Sequence, residues 1–121
     1  MFNRTPRWVT KLPDGSINKE LLKQLANSSR KPLETPREMN FDIRDFNSRN
    51  DAQEAAKKIE ARGWLVQIDV DHKNPEKYWV SARKAQYRIT ESDLFEDERF
   101  FLRIAALYSA RFDGWYAMLV K

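Results

Sequence analysis

Residues 39–70 read MNFDIRDFNSRNDAQEAAKKIEARGWLVQIDV, and this stretch decides the fold. It opens with period two. Met39, Phe41 and Ile43 alternate with Asn40, Asp42 and Arg44, which predicts a strand with one buried face. Ser48-Arg49-Asn50-Asp51 then resembles a capping box, and Ala52, Ala55, Ala56 and Ile59 gather on one side of the helix that follows. Gly63 stands just past that helix, where a residue free to adopt positive φ ends it naturally. Trp64, Val66, Ile68 and Val70 return to period two and predict a second strand.

Reading outward, Asp71-His72-Lys73-Asn74-Pro75-Glu76 is a turn-rich hairpin loop. On the strand beyond it, Tyr78, Val80 and Ala82 face one way and Trp79, Ser81 and Arg83 the other. Thr90-Glu91-Ser92-Asp93 opens a longer helix whose apolar residues include Leu94, Phe101, Leu102, Ala105, Tyr108 and Phe112. Asp113-Gly114 is expected to break that helix, with Gly114 supplying the positive φ, before a last strand over Trp115–Val120. Trp115 and Tyr116 then point to opposite faces of the sheet. The order β-α-β-β-α-β predicts an α+β, ferredoxin-like fold: a four-stranded antiparallel sheet with two helices on one face.

Upstream, Pro6 and Pro13 interrupt an irregular segment. Ser16 caps an extra N-terminal helix with Ile17, Leu21, Leu22 and Leu25 on one face, ending near Asn27-Ser28. Pro32 and Pro36 make the connector after it extended. The expected organisation is an N-terminal arm with one helix over 1–37, packed on or beside the core, and a ferredoxin-like domain over 38–121.

Charge is unevenly spread. Residues 1–38 carry eight basic and four acidic side chains, whereas residues 39–121 carry fourteen of each. The net charge of +4 therefore resides in the arm, which suits an acidic partner such as nucleic acid or an acidic protein surface. With 121 residues the chain has room for one core. It has no cysteine, so neither disulfides nor thiolate chemistry is available, which fits a reducing compartment. The opening residues lack the apolar stretch of a signal peptide and no apolar run has membrane-spanning length, so the expected location is cytoplasmic and no membrane is expected as a partner.

Catalytic constellations fail on inventory. The single histidine, His72, sits among Asp69, Asp71, Asn74 and Glu76 in what reads as a solvated hairpin turn, not a metal site. Three glycines cannot build a phosphate-cradling loop, and no nucleophile-elbow or dinucleotide motif occurs. No catalytic residue, metal ligand or cofactor is expected, and the protein reads as a binding or regulatory module, not an enzyme.

Pro36-Arg37, the strand Phe41–Phe46, the Ala-rich helix from Asp51-Ala52 through Ala55-Ala56 to Gly63, the hairpin strand Tyr78-Trp79-Val80-Ser81, the helix from Thr90 and the closing Asp113-Gly114-Trp115 follow one another in an order that resembles the ribonuclease E inhibitor family called RraB. The resemblance covers roughly residues 16–117. It implies a ferredoxin-like fold and a non-enzymatic role: binding ribonuclease E, or a related RNA-degradation complex, at its non-catalytic scaffold half and modulating RNA turnover. It also implies structural roles for Pro36, Arg37, Gly63, Asp113, Gly114 and Trp115.

Two surfaces are candidates for partner binding. One is the acidic start of the last helix, Glu91, Asp93, Glu96 and Asp97, followed by Glu98, where negative charge also complements the helix dipole. The other is the sheet face turned away from the helices, with Asp42, Arg44, Trp79 and Arg83. Direct RNA binding through the basic arm and Trp79 is the rival reading, since aromatics on such a face stack bases. The same face is also a route to a homodimer.

Overall fold

The computed structural model describes Lys23, Asn27, Pro32 and residues 34–118. The fold is organised around β1 (Arg37–Phe46), which has an antiparallel neighbour on each side. After it come α1 (Arg49–Glu60), β2 (Leu65–Val70), β3 (Tyr78–Tyr87), α2 (Glu91–Leu107) and β4 (Arg111–Ala117). The sheet order is β2-β3-β1-β4 and every pairing is antiparallel. This α+β arrangement of a four-stranded antiparallel sheet and two helices is consistent with the expected ferredoxin-like fold. The extra helix expected over 16–28 lies outside the described residues apart from Lys23 and Asn27, as do Leu119 and Val120 of the expected last strand.

The helix-facing half of the β1 alternation is as predicted, but the strand does not have the single buried face expected, since Asn40 and Asp42 between the apolar residues are also buried. Met39, Phe41 and Ile43 are buried against both helices. Their register partners on β3 and β4 supply Ala82, Val80 and Trp115 to the same layer. From α1 come Ala52, Ala55 and Ile59, and from α2 come Leu94, Phe101, Ile104 and Ala105. Small alanines let α1 lie close to the sheet, while α2 fills its side with aromatic volume. The Phe101 ring stacks on Phe41 at 4.5 Å, and Trp64 meets both rings edge-on at 5.3 Å. Edge-to-face and offset contacts of this kind add to the burial of the rings themselves.

Both helix starts are capped as the sequence implies. Ser48 Oγ accepts from the Asp51 N–H at 3.1 Å, and Thr90 Oγ1 accepts from the Asp93 N–H at 3.2 Å. Each satisfies a donor that the helix itself cannot. Gly63 has φ of 91° just past α1, as expected.

The end of α2 corrects the sequence reading. The helix stops at Leu107, not near Phe112, and Gly114 does not end it. Ser109 takes the left-handed conformation instead, with φ of 53°. The Ala110 N–H donates to the Ala105 carbonyl at 2.8 Å and the Ser109 N–H to Ala106 at 3.2 Å, the hydrogen-bond pattern of a Schellman ending. Gly114 lies inside β4, with φ of 92°. There Phe41 pairs with Trp115 and Ile43 with Phe112, so two residues of β4, Asp113 and Gly114, oppose Asp42 alone. This bulge keeps Phe112 and Trp115, three positions apart, on the same helix-facing side. Asp45, with φ of 67°, sits where the β1–β3 register shifts between Ile43 and Phe46, and Phe46 likewise returns to the core.

Arg37 closes the sheet at the start of β1. It is 3% exposed, and its guanidinium donates to the carbonyls of Pro32 (2.8 Å), Thr35 (3.3 Å) and Met118 (3.4 Å). Burial lowers its pKa from the ordinary arginine value. These bonds fasten the proline-bearing connector to the residue that follows β4.

Candidate functional site

The Thr90 cap fixes the first turns of α2, and those turns distribute their acidic side chains in three directions. Glu91, Asp93 and Glu96 are exposed. Asp97 turns toward the end of β3, where the Tyr87 hydroxyl donates to its Oδ2 at 2.5 Å and Arg62 Nη2 lies 3.8 Å from its Oδ1. Burial pushes the Asp97 carboxyl above its ordinary pKa, against the opposing pull of the Tyr87 hydrogen bond and of Lys84 and Arg62. Burial and the neighbouring carboxylate also hold the Tyr87 hydroxyl well above the usual tyrosine range, so it stays protonated and donating. Between these elements lies an open depression of about 350 Å³ lined by Lys84, Gln86, Tyr87, Arg88, Asp93, Glu96 and Asp97. Its walls carry both signs of charge.

Glu98 goes the third way. It is 1% exposed and its Oε2 accepts from Trp115 Nε1 at 3.1 Å. The sequence reading grouped it with the acidic start of the helix, but it links α2 to β4 inside the molecule.

The sheet face turned from the helices is more closed than its residue types suggest. Asp42 is 2% exposed and Asn40 4%. Arg44 donates through Nε to Asp113 Oδ2 at 2.7 Å, and its guanidinium lies over the Trp79 ring at 3.9 Å. Arg111 bridges Asp113 and Asp45 at 2.8 and 3.0 Å, and the hydrogen bond to Asp45 raises its pKa. Trp79 is thus half-buried beneath an arginine of its own chain, and that ring face is already occupied. Arg83 is exposed, with Glu38 4.0 Å away. Both line a shallow depression of about 290 Å³ together with Asn40, Leu65, Gln67, Ser81 and Tyr116.

The family-pattern residues fall in structural places. Pro36 is half-buried beside the Arg37 clamp, Asp113 receives two arginines, and Trp115 is fully buried. Sequence reasoning did not single out a further feature, a depression of about 420 Å³ lined by Arg62, Ser92, Phe95, Glu96, Arg99 and Arg103. Arg62 lies over the Phe100 ring at 4.2 Å, which holds the guanidinium beside this hollow. The signal was available as Phe95, Arg99 and Arg103 at helical spacing, but Arg62 arrives from the end of α1 and only the fold brings it there.

His72 is exposed in the β2–β3 loop. Among the described residues no group of three or more His, Cys, Asp or Glu side chains could hold a metal ion, and no helix is long and apolar enough to cross a membrane.

No curated protein matches the chain significantly. The profile of the family described as regulator of ribonuclease activity B matches residues 16–116, a span that takes in every element from β1 through α2 and most of β4. That is the same family whose order of motifs the chain carries from Pro36-Arg37 to Asp113-Gly114-Trp115. A match over most of the chain's length, on a fold of the kind the motifs imply, places this protein in the regulator of ribonuclease activity B family.

Proposed function

We propose that this protein is a non-enzymatic regulator of RNA turnover that binds ribonuclease E, or a related RNA-degradation complex, and lowers its activity by covering part of its surface. Membership of a family described as regulating ribonuclease activity supports the reading at its coarse level. The observation that carries the finer reading is the start of α2. Three exposed carboxylates, Glu91, Asp93 and Glu96, project from the capped end of a helix that is anchored into the core by Leu94, Phe101 and Ile104. A rigidly mounted acidic front is suited to steering and docking a basic protein segment. Asp97 belongs to it as a support, because its carboxylate is already held by Tyr87 and Arg62. Inhibition by occlusion asks for no reacting group on this chain.

RNA binding through Trp79 is the weaker reading, because Arg44 already covers that ring. The basic arm over 1–37, which the same reading invokes, falls largely outside the described residues.

The test is binding of the purified protein to the scaffold half of ribonuclease E from the same organism, with a structured RNA as competitor, at low and moderate salt. Glu91→Lys, Asp93→Lys and Glu96→Lys combined should weaken that binding at least about tenfold. The fold should persist, since all three side chains are exposed, with a lowered thermal midpoint because positive charge opposes the dipole at the start of α2. Binding to RNA alone, falling steeply with salt, would overturn the reading.

A further inference from the structure

β2 is an edge strand. β3 pairs with one side of it, and among the described residues no strand pairs with the other. Proteins protect such edges with proline, a bulge, or a charge pointing inward, because unpaired backbone groups otherwise template a new strand. β2 uses none of these. Its sequence, LVQIDV, has no proline, and its register with β3 runs unbroken from Leu65 opposite Arg83 to Val70 opposite Tyr78. Its one charge, Asp69, is on the side away from the helices, opposite Trp79. The other edge, β4, is different: the Asp113-Gly114 bulge interrupts its pairing with β1.

The helix layer also stops short of this edge. Val66, Ile68 and Val70 share the core-facing side of β2, yet Val66 and Ile68 are only half-buried and Val70 is 42% exposed. Among the described residues, the apolar core thus continues to the rim as a partly exposed ledge of β-branched side chains beside backbone that no strand pairs.

We propose that this edge is a homodimer interface, in which β2 pairs antiparallel with the β2 of a second copy about a two-fold axis at Ile68. The pairing joins two four-stranded sheets into one. The side chains of β2 are complementary to themselves in this register. Val66 faces the partner's Val70 and Ile68 faces the partner's Ile68, so ledge meets ledge. Gln67 faces the partner's Asp69, an amide against a carboxylate. Moving the axis to Asp69 would set that carboxylate against its own copy, and moving it to Gln67 would set Leu65 against the partner's Asp69 within the strand, whereas the Ile68 axis leaves Leu65 opposite Asp71, past the end of β2. Placing the axis between residues would pair core-facing with outward-facing side chains. Within β2 the apolar pattern and the single charge are best matched in this register, and a second copy of the strand satisfies both.

The absence of cysteine from the chain makes the test direct. In this dimer a single Ile68→Cys places two thiols directly across the axis, about 4.5–5.5 Å apart at Cβ. Its thiol should oxidise to a disulfide-linked dimer at least about tenfold faster than that of Asp69→Cys, whose symmetry mate is displaced along the strand. Sedimentation of the unmodified protein should show a reversible, concentration-dependent dimer. Val70→Lys, at an exposed position, should shift it to monomer without altering the thermal midpoint at monomeric concentrations. A protein that stays monomeric throughout, a dimer that survives Val70→Lys, or equal cross-linking of the two cysteine variants would each overturn the proposal.

Discussion

Replacing Phe101 with alanine should loosen the whole of α2. The ring is fully buried, lies on Phe41 at 4.5 Å with a 7° interplanar angle, and receives Trp64 and Phe100 edge-on, each at 5.3 Å. Withdrawing about 150 Å² of apolar surface at ~25 cal/mol/Å² gives about 4 kcal/mol, within the ~3–5 kcal/mol usual for a buried Phe→Ala change. A domain of this size is stable by ~5–15 kcal/mol, so the variant should fold but sit near its margin. Phe101→Leu keeps much of the volume and should cost about 1.5 kcal/mol or less. A double-mutant cycle with Phe41→Leu should then expose a coupling of ~0.5–1.5 kcal/mol belonging to the stacked pair. Urea unfolding followed by tryptophan fluorescence reads all three, with Trp64 reporting from beside the missing ring. A loss below about 1 kcal/mol for Phe101→Ala, at unchanged m, would refute the idea that this aromatic stack seats α2 and, with it, the acidic front.

Two further substitutions probe individual groups. Because burial raises the Asp97 pKa, the folded chain holds this proton more tightly than the unfolded one, and the group's contribution to stability falls as pH rises from its unfolded pKa through its folded pKa. Asp97→Asn keeps an oxygen to accept from Tyr87 without the buried charge, so it should match or exceed the parent in stability at neutral pH and lose that advantage below about pH 4. Urea titrations of both proteins across that range check it, and a parent clearly more stable at neutral pH would show that Arg62 and Lys84 outweigh burial. Ser109→Gly relieves a side chain held at φ of 53° while leaving the helix-ending hydrogen bonds intact, so it should stabilise by about 0.5–1 kcal/mol. A fall in thermal midpoint would show that the Ser109 side chain does more than occupy the turn.

Where local pattern and tertiary demand agree, the fold was readable. The burial of Met39, Phe41 and Ile43 against the helices, the caps at Ser48 and Thr90, and the small face of α1 all behave as their chemistry implies. The end of α2 was not readable, because a serine took the left-handed position that glycine normally signals, and the glycine present served a bulge instead. Val66, Ile68 and Val70 carried the correct period, but periodicity says nothing about edges, and only the strand order reveals why these residues are incompletely covered. The candidate surfaces were half legible. Glu91, Asp93 and Glu96 are exposed as expected, whereas Asp97 is held by Tyr87, Glu98 is buried beside Trp115, and Asp42 lies inside the sheet face once thought open. In each case the deciding neighbour is distant in the chain or a register position that composition does not encode.

The bulge at Asp113-Gly114 bears on how sequences of this kind can change length. Side chains on a strand alternate in sidedness, and the extra residue in β4 resets that alternation between Phe112 and Trp115. Losing one residue here would remove the bulge and leave Phe112 and the fully buried Trp115 two positions apart, still on the helix-facing side opposite Ile43 and Phe41. Losing both would make them neighbours and turn either Phe112 or Trp115 toward the opposite face. At this bulge β4 therefore forgives the loss of one residue and not of two, and Asp113-Gly114-Trp115 is less an epitope than a counting mark where one spare residue is held out of phase with the core.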